Sequence, residues 1–144
     1  MKQVFKLVLA CAVGVLPMSV GARDSEAVEV RKMIDKVNQH WQAENSPEVR
    51  SFWDNAVYHT GNMEAYFLTG NETYRAYSET WANYNQWKGA KSDNRAEWKY
   101  SYGESDEYVL FGDYQICFQT YTDLYNLAPD DKKIKRAREV MEYQ

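Results

Sequence analysis

The chain reads as an all-α protein built from helical hairpins, and three observations predict this. Apolar and aromatic residues recur at three- and four-residue spacing in each of the long segments beyond the first twenty-five residues or so. No stretch alternates over strand length with turn signals at strand intervals. A unit of buried helix, tight turn and amphipathic helix occurs twice, 59 residues apart: Asp54 leads to Asp113, and EAYFLTG at 64–70 leads to DLYNLAP at 123–129. With one residue inserted at the turn, Trp81 then matches Met141. Such repetition is the pattern of a helical-hairpin array, in which each hairpin needs neighbours to bury its faces.

Taken in order, residues 1–22 read as a secretion signal. Lys2 and Lys6 supply a basic start, the run from Leu7 to Leu16 is apolar, and Ser19-Val20-Gly21-Ala22 supplies small residues for cleavage. The apolar run is too short for a resident membrane span. Val8-Leu9-Ala10-Cys11 faintly resembles a lipoprotein site but falls inside that run, so cleavage after Ala22 is expected. The expectation is an exported protein, periplasmic or extracellular, with 23–144 as its folded part. Cys11 then leaves with the signal and Cys117 has no disulfide partner, which makes it a small core residue. Losing two lysines takes the formal charge from −4 to −6. An acidic chain argues against nucleic acid or an anionic membrane as partner.

The first mature helix spans 26–44, with Val30, Met33, Ile34, Val37 and Trp41 on one face and charged residues on the other. Asn45-Ser46-Pro47 breaks it, and Ser46 is placed to cap the next element. The main helix, 52–68, is apolar on more than one side. Gly61 at its middle costs about 1 kcal/mol against Ala, which predicts close approach of another helix or of a ligand. Thr69-Gly70-Asn71-Glu72 is a turn with a glycine terminator and a fresh cap. A helix over 72–87 carries Tyr74, Tyr77, Trp81, Tyr84 and Trp87 on one face. The polar, glycine-punctuated stretch 88–107 is a long loop of the kind that tends to be functional. Next comes a mostly buried helix over 109–125, then a turn at Pro129 and an amphipathic helix over 131–144.

Asp54 and Asp113 take equivalent places near the starts of the two buried helices, where helix N-termini favour a carboxylate or another anion. The repeat therefore predicts one cleft holding Asp54, Tyr58, His59 and Asp113. Carboxylates there can bond hydroxyls or move protons. The aromatics, 15% of the chain with twelve Tyr among them, suit sugar rings as well as a helical core. Plainer readings stand beside these. Asp113 after Gly112 can cap its helix, Asp54 can cap its own, and His59 can be a satisfied core histidine. No HxxxH, CxxC or HExxH spacing occurs, so no metal site is expected.

The strings FWDNAVYHTGNMEAYFLTGNETYRAYSETWANYNQW (52–87) and YVLFGDYQICFQTYTDLYNL (108–127) carry a family resemblance. The chain resembles the N-terminal part of bacterial unsaturated rhamnogalacturonyl hydrolases, glycoside hydrolases related to unsaturated glucuronyl hydrolases. The resemblance implies an (α/α)6 barrel, six inner helices within six outer ones, present here in part. It implies substrates from pectin breakdown: oligosaccharides with a 4,5-unsaturated uronic acid at the non-reducing end. An aspartic acid protonates the double bond, water adds at C5, and the resulting hemiketal opens to release the sugar. No cofactor is implied. Asp113 matches the first of the family's two active-site aspartates, and Tyr58 a substrate-contacting tyrosine. The second aspartate, the proton donor, is expected after Gln144. Two hairpins and a leading helix do not close a barrel, so the chain is read as part of a longer protein. Two other readings remain: a non-catalytic helical-repeat binding module, and an inactive truncated fragment.

Overall fold

The computed structural model describes residues 20–143, with side chains from residue 25 onward. Most of the expected signal at 1–22 therefore lies outside the described residues. Five α-helices carry the fold: α1 (Val20–Glu44), α2 (Trp53–Thr69), α3 (Glu72–Tyr84), α4 (Cys117–Leu127) and α5 (Lys135–Tyr143). Short 3-10 turns stand at Arg95–Glu97, Gly112–Tyr114 and Asp131–Lys133, and no strand occurs among the described residues. No helix among them is long and apolar enough to cross a membrane.

The core forms where α2, α3 and α4 meet. Ala56 and Met63 of α2, Trp81 and Ala82 of α3, and Cys117, Tyr121 and Leu124 of α4 close on one another. Trp81 is wholly buried, and truncating such a side chain to alanine costs about 3–5 kcal/mol. Phe52 at the head of α2 meets Tyr114 just before α4, and farther on Glu64 of α2 acts on Asp123 of α4. The two helices therefore run parallel, side by side. This is the inner-helix pairing of an (α/α)6 barrel, with α3 and α5 returning outside it.

The turn after α2 is built as the sequence predicts. Gly70 ends α2 in the left-handed conformation at φ 71°, and its N–H donates to the Tyr66 carbonyl at 2.7 Å. Asn71 then caps α3, its side chain accepting from the Thr73 N–H at 3.1 Å.

Four expectations change. The apolar stripe of α1 turns inward only in part: Val30, Met33 and Val37 are each half-exposed or more, while Ile34 and Trp41 are partly buried. That helix meets α2 through the Trp41 ring, stacked on Tyr58, and through a polar set in which the Tyr58 hydroxyl donates to Asn38 and Gln42 donates to Tyr58 and Asn62. A satisfied hydrogen-bond network competes with apolar burial for the same helix face. Next, α3 ends at Tyr84 rather than Trp87. Asn85 donates to the carbonyls of Val49 and Trp81, and Gln86 and Trp87 take φ values of 56° and 59°. That left-handed pair swings the Trp87 ring into the core instead of leaving it on the helix face. Third, no helix among the described residues packs on Gly61, where a Cβ would meet nothing within 4 Å. Finally, α4 starts at Cys117, and the turn carrying Asp113 is wound as a separate 3-10 segment.

The stretch between α3 and α4 is partly structural. Ala90, Trp98, Val109 and Leu110 build a second apolar cluster with Phe52, Tyr114 and Val140. Its two limbs are tied by the Lys99 N–H donating to the Glu107 carbonyl and the Leu110 N–H to the Lys99 carbonyl. The tip leaves Tyr100 and Tyr102 exposed.

Candidate active site

The end of the molecule at which α2 begins is assembled by aromatic packing. Phe52 makes an edge contact with Tyr114 at 4.8 Å and a tilted one with Phe111 at 6.5 Å. Tyr102 from the loop tip packs on Phe111 at 5.6 Å. The Tyr114 hydroxyl donates to the Glu104 carbonyl, which ties the tip to the Gly112–Tyr114 turn. Gly89 allows the closest approach: a Cβ there would sit 1.9 Å from the Tyr114 carbonyl oxygen. The carbonyls of Lys88 and Gly89 are held in turn by the Ser51 hydroxyl at 2.8 and 3.0 Å. Asp113 thus sits on a short turn fixed from both sides by groups distant in sequence.

Asp113 itself is half-buried, and its carboxylate has no hydrogen-bond or ion-pair partner among the described residues. The 3-10 turn shows no side-chain cap, so the capping role open in the sequence is not taken. Asp54 differs. It is exposed in the first turn of α2, 3.3 Å from the Arg50 guanidinium, and it accepts from the N–H and the side chain of Asn55. Arg50 also pairs with Glu104 and lies 4.6 Å over the Phe52 ring.

Tyr58 and His59 lie one turn farther along α2 and face its neighbours. Tyr58 stacks on Trp41 at 4.5 Å, and burial pushes its hydroxyl pKa up to about 12. Its hydroxyl is already used in joining α1 to α2. His59 is a core histidine, 2% exposed, stacked on Trp81 at 4.0 Å and bonded to the Ser78 hydroxyl at 3.1 Å. Burial lowers its pKa to about 3, so it is neutral in ordinary buffers. The structure thus brings the segments of Asp54 and Asp113 to one end, while Tyr58 and His59 are drawn into packing.

Two features have no counterpart in the sequence reading. The exposed face of α2 runs through Trp53, Val57, Gly61 and Glu64, and α4 sets Gln119 and Asp123 beside it. Burial, and then the nearby Glu64, raises the Asp123 pKa against an opposing hydrogen bond from Gln119. Asp123 is the one carboxyl among the described residues whose clear shift is upward. The other feature is the Gln115 amide nitrogen, buried and without a partner two residues past Asp113. Neither has a local sequence signal, because both depend on α2 and α4 lying together. Among the described residues, no cluster of His, Cys, Asp and Glu has the form of a metal site.

Residues 26–144 match the profile of Glycosyl Hydrolase Family 88. Among solved structures, a glycosyl hydrolase family 88 protein from Bacteroides vulgatus is 66% identical over 82% of this chain, with a TM-score of 0.80. A protein named a polysaccharide lyase is 67% identical over 83% of this chain, with a TM-score of 0.79. In both cases the match covers 34% of the other chain, so this chain spans about a third of their length. No curated protein matches it.

Proposed function

The chain belongs to Glycosyl Hydrolase Family 88, and on that premise we propose that it contributes the first part of a glycosidase acting on unsaturated uronyl oligosaccharides. The substrates are those that pectin (rhamnogalacturonan) breakdown supplies, with a 4,5-unsaturated uronic acid at the non-reducing end. Water adds across the double bond: one aspartic acid delivers a proton to C4, and the water oxygen bonds to C5. The hemiketal so formed opens by breaking the bond from C5 to the ring oxygen, which leaves a ketone at C5 and a hemiacetal at C1. Breaking the bond from C1 to the glycosidic oxygen then leaves an aldehyde and frees the second sugar with its hydroxyl restored. One water is consumed, and no oxidant or cofactor takes part.

Asp113 is assigned as one of the two aspartates, and the proton donor is expected from a segment later in sequence. The observation that carries this reading is the unpartnered Asp113 carboxylate on a turn held by Gly89 and Tyr114. A half-buried acceptor that no protein group satisfies is free for a substrate hydroxyl or a water. Asp54 is assigned to an outer contact with the sugar, and Tyr58 and His59 to supporting α2 from its packed side. An exported location is proposed from the basic and apolar opening at 1–22, and it suits a scavenger of polysaccharide fragments.

The name of the second solved structure favours one other reading, elimination rather than hydration. A single spectroscopic measurement separates them. The full-length protein should remove the ultraviolet absorbance of the conjugated double bond from an unsaturated rhamnogalacturonan disaccharide. New absorbance produced from intact, saturated polymer would establish a lyase instead. No change with either substrate overturns the enzyme reading.

A further inference from the structure

A cavity of about 380 Å³ opens away from Asp113, between α5 and the segment after α3. No residue of α2, α4 or the Gly112–Tyr114 turn lines it. Its wall is strongly basic: Lys88, Arg95, Lys132, Lys135 and Arg136 face it, against the carboxylates of Asp93 and Glu139 alone. That concentration of positive charge stands out in a chain whose formal charge is −4.

Arg136 is the centre of the cluster. Its side chain is only 3% exposed, and a guanidinium keeps its charge even there. One terminal nitrogen donates to the Ser92 carbonyl at 2.9 Å, the other to Asp93, and the guanidinium lies 5.3 Å over the Trp98 ring. Its Nε is buried and makes no hydrogen bond; Glu139 is 3.3 Å away but outside bonding geometry. A buried guanidinium with an unused donor is costly unless an acceptor completes it.

Asp93 shows what that acceptor looks like. Its carboxylate also takes both bonds from the Lys88 ammonium, at 2.8 and 2.9 Å, while its side chain remains 74% exposed. Of the two carboxylates set against these cations, Asp93 is the one held by a residue that can swing into water. Arg95 and Lys135 have no carboxylate at ion-pair distance among the described residues and stand at the same rim.

We propose that this cavity is a second binding site, for the carboxylate or phosphate group of a small anion, which Asp93 occupies as an internal stand-in until the ligand displaces it. Fork-shaped guanidinium donors and neighbouring ammonium groups suit either oxyanion.

Calorimetric titration of the full chain with inorganic phosphate, and separately with galacturonate, tests this. The expected result is saturable binding of at least one anion at low ionic strength, weakening as salt is added. Phosphate alone would mark a free oxyanion as the source, and galacturonate an acidic sugar. Lys135→Gln, an exposed change, should weaken binding about fivefold, and Asp93→Asn should tighten it by a similar factor by removing the competitor. No saturable binding of either anion overturns the proposal. So does binding that neither substitution alters.

Discussion

The two hairpin units carry the same acidic residue at the same spacing and treat it in opposite ways. In the first, α2 starts one residue before Asp54, which is tied to Arg50 and Asn55 in the open. In the second, the helix is delayed to Cys117, and Asp113 is left half-buried and unpartnered on a 3-10 turn. The cause lies in what packs on each start. The first has a basic residue one turn earlier to pair with; the second has none, and its turn is pressed by Gly89 and tied through Tyr114 to the loop tip. A repeated position becomes chemically different when only one copy is enclosed, because enclosure removes both water and competing partners.

Substitutions at the two copies should differ most of all. Asp113→Asn in the full-length protein should lower turnover roughly 10²–10⁴-fold while leaving the thermal midpoint within experimental scatter. Equal losses from Asp113→Asn and Asp54→Asn would erase the difference between the two units. Gly89→Ala attacks the enclosure itself. The added methyl collides with the Tyr114 carbonyl, so a cost of about 2 kcal/mol is expected, along with loss of activity through the displaced turn. Denaturant midpoints would measure the first effect and the absorbance assay the second.

A smaller effect probes the packing behind α2. His59 has a folded pKa of about 3 against an ordinary 6.5. Below pH 6.5 the unfolded chain takes up a proton that the folded chain refuses, so stability falls as pH drops toward 3 and is fully retained above 6.5. The slope from this one group is at most about 1.4 kcal/mol per pH unit. Chemical denaturation at pH 7 and pH 5 should show a steeper loss in the parent than in His59→Gln; parallel losses would mean that the ring is protonated in place. The least effect belongs to Asp54→Asn. Its ion pair with Arg50 is about half-exposed on both sides, so stability should change by less than about 1 kcal/mol.

Much of the fold is legible from spacing. The hairpin turn at Gly70 and Asn71, the burial of Trp81, Tyr121 and Leu124, and the absence of strands among the described residues all obey local rules of helix capping and periodicity. The site is legible only in part. Asp113 stands out by its isolation from basic neighbours, whereas His59 and Tyr58 join it only by their position on a helix. Ser78, Trp81, Asn38 and Trp41, all on other helices, claim their polar atoms and faces. Val30, Met33 and Val37 of α1 stay exposed, while Asn38 and Gln42 find partners on α2 that no periodicity encodes.

The sequence by itself determined the helical hairpins, their turns and the identity of the carboxylates, because these depend on residues a few positions apart. Only the tertiary structure decided which carboxylate stays free, which histidine is sealed in the core, and which arginine is buried beside a cavity. Those outcomes turn on solvent exclusion and on competition for partners, and both are set by segments brought together from far along the chain.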